Sequence, residues 1–179
     1  MSEYKIIDKV DDGLIRQMIE LDKLVYNGLD VGNYNRCKKW VEANPQIYTV
    51  LLCNEEVVGY INCMPITDRA YEKIKKGQLK DFEITNKDIV KFESFKRFKC
   101  YFTSIVIRPD YQSSVAIIRL WKGFINKLNC LNISISGIVM DCVSNMGEEC
   151  AKRLLSAKFI TNSYGGKIYE GNLNWGKRK

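Results

Sequence analysis

The chain has 179 residues, of which 46% are hydrophobic and 27% charged, with a formal charge of +7. That length suits one globular domain, or one domain with an insertion, and supplies a substantial core. With no histidine anywhere, Ser-His and Cys-His nucleophile pairs and His-ligated metal sites are excluded, and no metal is expected.

No apolar stretch approaches the roughly 20 residues that a membrane helix needs. The opening MSEYKIIDKVDDG lacks the shape of a signal peptide. The seven cysteines fall at irregular positions without a C-x-x-C pair, the pattern of reduced thiols in a cytoplasmic protein.

In chain order, Tyr4 to Val10 alternates loosely and predicts a strand. Asp11-Asp12-Gly13 offers a helix start. Leu14, Ile15, Met18, Ile19, Leu21, Leu24 and Val25 then mark an amphipathic helix to about Tyr26. A shorter helix is expected over Tyr34 to Ala43, stopped by Asn44-Pro45. Ile47 to Cys53 and Val57 to Met64 read as strands of a hairpin around Asn54-Glu55-Glu56.

Residues 68–99 hold ten Lys/Arg against six Asp/Glu and read as an insertion. Tyr71 to Lys76 looks helical, and Thr85-Asn86-Lys87-Asp88 looks like a second helix start. The remaining positive excess sits in the tail Lys177-Arg178-Lys179. A solvated face explains such charge runs more often than a nucleic-acid patch does.

An apolar β-branched run from Tyr101 to Ile107 predicts a buried strand. Arg108-Pro109-Asp110 breaks it, and Ile117, Leu120, Trp121, Phe124, Ile125 and Leu128 follow at helical spacing. A strand that passes through a short polar turn into a helix leaves backbone N–H groups at the helix start, suited to a phosphate. Ile133 to Val143 then reads as a strand. Asn145-Met146-Gly147-Glu148 has the form of a capping box with Asn145 as the cap, and Phe159 to Ser163 and Lys167 to Leu173 flank a turn at Tyr164-Gly165-Gly166.

The run IVIRPDYQSSVAIIRLWKGF resembles the acyl-CoA-binding segment of the GNAT (GCN5-related N-acetyltransferase) superfamily. There a strand, a proline turn and the pattern Gln/Arg-x-x-Gly-x-Gly/Ala lead into a helix that holds the cofactor pyrophosphate. Gln112 takes the first position, while Val115 and Ile117 replace the two small residues. The order of elements over nearly the whole chain resembles that family too, as does VSNMGEECAKRLLSAKF near the end. The resemblance implies an α/β (α+β) fold: a mixed, mostly antiparallel central sheet flanked by helices, with the insertion between the third and fourth strands. It further implies a single N-acyltransferase domain over 1–179.

The implied reaction is acetyl transfer from acetyl-CoA to a primary amine by direct attack. By resemblance the Ile105 backbone N–H meets the thioester oxyanion, Ile107 contacts the pantetheine arm, and Asn145 hydrogen-bonds it. Gln112, Ser113, Ser114, Val115, Ala116 and Ile117 would hold the diphosphate. The family's tyrosine acid is replaced by Leu154 and its glutamate base by Tyr101, so Tyr164 or Cys150 is the candidate acid and Glu93, Asp88 or Glu83 the candidate base, with Glu93 placed first. The expected acceptor is a small-molecule or peptide amine, with anionic character favoured by the basic insertion, and a homodimer is an open option. A catalytically silent CoA-fold module, and after it a basic nucleic-acid-binding protein, are the alternatives.

Overall fold

The computed structural model describes residues 3–26, 32–112 and 115–173. Strand β1 (Tyr4–Ile7) is followed by helices α1 (Asp12–Val25) and α2 (Tyr34–Ala43), then strands β2 (Tyr48–Cys53) and β3 (Glu56–Pro65). The insertion contributes α3 (Asp68–Lys75). Strand β4 (Arg97–Ile107), helix α4 (Ala116–Cys130), strand β5 (Ser134–Cys142), helix α5 (Asn145–Leu155) and strands β6 (Lys158–Asn162) and β7 (Lys167–Gly171) complete the order. The seven strands form one sheet in the order β1-β2-β3-β4-β5-β7-β6. Among the described residues β4 and β5 pair in parallel, and β1–β2, β2–β3, β5–β7 and β6–β7 pair antiparallel. This is the mixed, mostly antiparallel architecture that the sequence implies.

Local chemistry accounts for most boundaries. Asp11 caps α1 by accepting the Leu14 N–H at 2.8 Å, and Asn33 caps α2 by accepting from Arg36. The β2–β3 turn places Asn54 and Glu55 at φ of 49° and 67°, the twist that a two-residue hairpin requires. Strand β4 starts at Arg97, four residues ahead of the apolar run, because its charged leading residues pair with β5.

Two expectations are corrected. Thr85–Asp88 is a turn and not a helix start: the Asp88 carboxylate accepts from both the N–H and the hydroxyl of Thr85, after which Ile89 bridges to Ile66. The cap of α5 is Ser144, whose Oγ accepts the Gly147 N–H at 3.1 Å; Asn145 is the first helical residue. Glu148 does not reach back to complete a capping box, because its carboxylate is taken by Lys167 and Tyr169 of β7.

By packing, the chain divides into two compact units, 1–62 with 104–130, and 63–103 with 131–179. The first buries Ile15, Met18 and Leu21 of α1, Trp40 of α2, Val50 and Leu51 of β2, and Leu120 and Phe124 of α4. A Cβ at Gly59 would stand 2.5 Å from Ile107 Cδ1 and 2.8 Å from the Val106 carbonyl, so only glycine lets β3 pass the end of β4 at this spacing. The second unit buries Tyr71 and Ile74 of α3 with Cys100, Ile138, Leu155 and Ile168. Among the described residues no helix is long and apolar enough to cross a membrane.

Candidate functional site

The site is built on the end of β4. Its parallel ladder with β5 runs from Arg97 to Tyr101 and stops there. Ile105 is half-buried, and Val106 and Ile107 are buried. Beyond Ile107 the chain turns sharply: the Arg108 N–H donates to the Val58 carbonyl at 2.8 Å, the Tyr111 N–H to Arg108 at 2.8 Å and the Gln112 N–H to Pro109 at 3.3 Å. The Arg108 guanidinium grips both oxygens of Asp110 at 2.9 and 3.1 Å and reaches Glu56 at 3.0 Å. It also lies over the Tyr111 ring. A two-pronged contact of this kind fixes geometry as well as charge, so the turn is held rigid and Arg108 is neutralised within it.

Gln112 completes the turn. Its side-chain Nε2 donates to the Ile107 carbonyl at 3.2 Å, closing the last carbonyl of the strand. The main-chain N–H of Gln112 and one of its two side-chain N–H groups are therefore used within the turn. Ser113 and Ser114 lie outside the described residues. Val115 stands ahead of α4, its carbonyl accepting the Arg119 N–H at 3.0 Å. Its side chain is 52% exposed, so it does not turn into the core as a branched residue could; Ala116, fully buried, takes the inward position instead. Ile117 is half-buried. The first-turn amides of α4 thus sit where a strand, a rigid turn and a helix start converge, the arrangement that suits an anion.

One cation is available to that helix start. Arg119 has no ion pair among the described residues and lies over the Tyr4 ring at 4.8 Å. Tyr4 in turn meets Tyr111 edge-to-face. A diphosphate fits this donor set: backbone N–H groups, a guanidinium with no ion pair among the described residues and a turn already fixed by Arg108.

The other expected residues are placed in the second unit. Asn145 is exposed at the first position of α5. Tyr164 is 89% exposed, with the Lys80 ammonium 3.7 Å from its ring centre. Glu93 is ion-paired to Lys96 in the turn that precedes β4, whereas Ile105 is two residues from the end of that strand. Burial pushes the Cys142 thiol up to about 12 and raises that of Cys150, and burial lifts the Tyr101 phenol well above its ordinary range. These groups stay protonated near neutrality. Hydrogen bonds from Lys167 and Tyr169 hold Glu148 below the usual carboxylate range.

Sequence reasoning missed Asp22. It is 6% exposed, accepts the Tyr60 hydroxyl at 2.5 Å and receives the Gly32 N–H at 3.4 Å. Burial pushes its carboxyl up to about 6 against the lowering effect of those bonds. Tyr60 packs on Tyr48, which shares hydrogen bonds with Cys37 and Asn62, while Asn62 Oδ1 is buried without a partner. The signal was present in the sequence: Asp22 lies four residues after Met18 and three before Val25, on the inward stripe of α1.

No protein-family model matches the chain, and no curated protein matches it in sequence. Solved structures do match in three dimensions. One is PH1933 from Pyrococcus horikoshii OT3, at a TM-score of 0.63 and 18% identity, over 96% of this chain and 99% of that one. Another is an acetyltransferase of the GNAT family from Staphylococcus aureus MU50, at 0.61 and 11% identity over 96% and 100%. A third is Arabidopsis thaliana Naa50 in complex with the bisubstrate analogue CoA-Ac-MVNAL, at 0.58 and 12% identity over 94% and 98%. With the strand order, the β4 turn and the α4 start all in place, the chain has the fold of the GNAT superfamily.

Proposed function

We propose that the chain is an acyl-CoA-dependent N-acyltransferase that moves an acetyl group from acetyl-CoA to an amine by direct attack. The observation that carries this reading is the segment from Ile105 to Arg119, where the strand end, the locked turn and the helix start converge, with the Arg119 guanidinium over the Tyr4 ring. The resemblance to the GNAT segment and the three-dimensional match to an acetyltransferase and to a structure holding a CoA bisubstrate analogue support it.

In this reading the Ile105 N–H donates to the developing oxyanion, and backbone groups at Ile107 orient the pantetheine arm. Val115, Ala116 and Ile117 lend main-chain donors to the diphosphate, joined by Ser113 and Ser114, and Arg119 adds charge. Backbone donors fixed before the reaction stabilise the transition state without reorganisation, and positioning supplies much of the rest.

An alkyl ammonium with pKa of about 10.4 must lose a proton before it attacks. Glu93 stays the candidate base for that proton, and Asp22, enclosed by Tyr60 and Gly32, is assigned no part in the transfer. Tyr164 is the candidate acid from this chain's own residues, since Leu154 stands where the resembling family has its tyrosine. A thiol of pKa about 8.5 leaves with little help in any case.

The test is a thermal-shift titration with acetyl-CoA, CoA and longer acyl-CoAs, followed by thiol release against a panel of amines. Stabilisation by acetyl-CoA together with amine-dependent thiol release supports the transferase. Stabilisation without release supports a silent CoA-fold module. Absence of any CoA response overturns both. A nucleic-acid partner gains little from the fold, since Lys75, Lys96 and Lys99 of the basic insertion are each ion-paired.

A further inference from the structure

The insertion builds a second concave surface, and every residue that lines it belongs to the second unit. Helix α3 starts at the Thr67 cap, whose hydroxyl accepts the Ala70 N–H, and buries Tyr71 and Ile74. The Tyr71 hydroxyl reaches across β5 because residue 137 is glycine; a Cβ there would stand 2.7 Å from the phenol oxygen. That hydroxyl donates to Glu170 of β7 at 2.8 Å, and Lys75 donates to the same carboxylate at 2.9 Å. Those three side chains hold one wall of a cavity of about 460 Å³, a volume that suits a small molecule.

The charges left over are the informative ones. Glu170 is satisfied twice, and Lys99 is held by Asp68 at 3.1 Å. Glu72 holds Lys99 at 3.6 Å, a longer contact than the one Asp68 makes with the same ammonium. Lys158, exposed at the start of β6, has no ion pair among the described residues. Lys158 faces Glu170 across the β6–β7 ladder, but that carboxylate is already held by Tyr71 and Lys75, so the cavity presents one cation without an ion pair among the described residues and one weakly held carboxylate, beside the apolar side chain of Ile160. Opposite charges on a concave, partly apolar wall select a ligand with the complementary pair.

We propose that this cavity binds a small zwitterion, a molecule carrying both a carboxylate and an ammonium group, with Lys158 taking the carboxylate and Glu72 the ammonium. A free amino acid or a short ω-amino acid has that chemistry. The site does not rest on acyl transfer, since it includes no residue of the β4 end or the α4 start.

The experiment is calorimetric titration of the full chain at low ionic strength with glycine, β-alanine and 5-aminopentanoate, beside the half-ligands acetate and methylammonium. The expected result is saturable binding of at least one zwitterion in the millimolar range, preferred about tenfold over either half-ligand, with Lys158→Ala and Glu72→Gln each weakening it about tenfold. Both side chains are substantially exposed, so the variants keep the wild-type melting temperature and the acetyl-CoA thermal shift, which separates this test from that of the transferase. The proposal is overturned if none of the three zwitterions saturates, if acetate or methylammonium binds as well as they do, or if both variants bind like wild type.

Discussion

The β4 end and the α3 cavity solve the problem of holding a charged ligand in opposite ways. At the strand end the side-chain charge is largely cancelled, with Arg108 clamped by Asp110 and Glu56, and the donors on offer are main-chain N–H groups plus Arg119. In the cavity the main chain is spent in the sheet, and Lys158 and Glu72 carry the recognition. A backbone site tolerates changes of residue type, which is why Val115 and Ile117 in place of glycines need not abolish it. A side-chain site tolerates none at its key positions.

The largest expected effect tests the buried polar cluster of the first unit. Asp22→Asn removes the buried carboxylate that accepts from the Tyr60 hydroxyl and the Gly32 N–H. The same substitution reads out on stability. The folded-state pKa of Asp22 lies above its unfolded value, so this group favours folding most below pH 4, and the contribution is lost as pH rises through about 6. Urea unfolding of wild type should therefore weaken over that window by on the order of 2 kcal/mol from this group, and Asp22→Asn should flatten the slope.

Next in size, Gly59→Val forces a side chain onto Ile107 and the Val106 carbonyl and should cost about 3 kcal/mol in urea unfolding. Gly165→Ala, with nothing within 4 Å, serves as its near-neutral control. Arg119→Glu should weaken acetyl-CoA about tenfold, with the loss shrinking as salt is raised, while leaving zwitterion binding in the cavity intact. The smallest effect separates neighbours: Ser144→Ala should cost about 1 kcal/mol as a lost helix cap, and Asn145→Ala only a few tenths.

The contrast also explains what could be read from the sequence. Helix α2, from Tyr34 to Ala43, and the order of strand, proline turn and helix around Pro109 are local: periodicity and turn chemistry specify them. Thr85–Asp88 was misread because an acid that binds the Thr85 N–H forms a turn as readily as a helix start, and the pairing of Ile89 with Ile66 decides between them. Ser144 and Asn145 are both good caps, and Tyr169 and Lys167, some twenty residues downstream, settle the choice by claiming Glu148. The cavity was invisible because its anchor joins residues 95 apart in the chain, Lys75 and Glu170. Asp22 was legible but hidden in plain amphipathicity.

The most direct test of the central claim is a backbone amide NMR titration with acetyl-CoA. The account predicts saturable shifts at Ile105, Ile107, Val115, Ala116 and Ile117, with the amides of α3 unmoved. Shifts confined to the second unit, or none at millimolar acetyl-CoA, would contradict it.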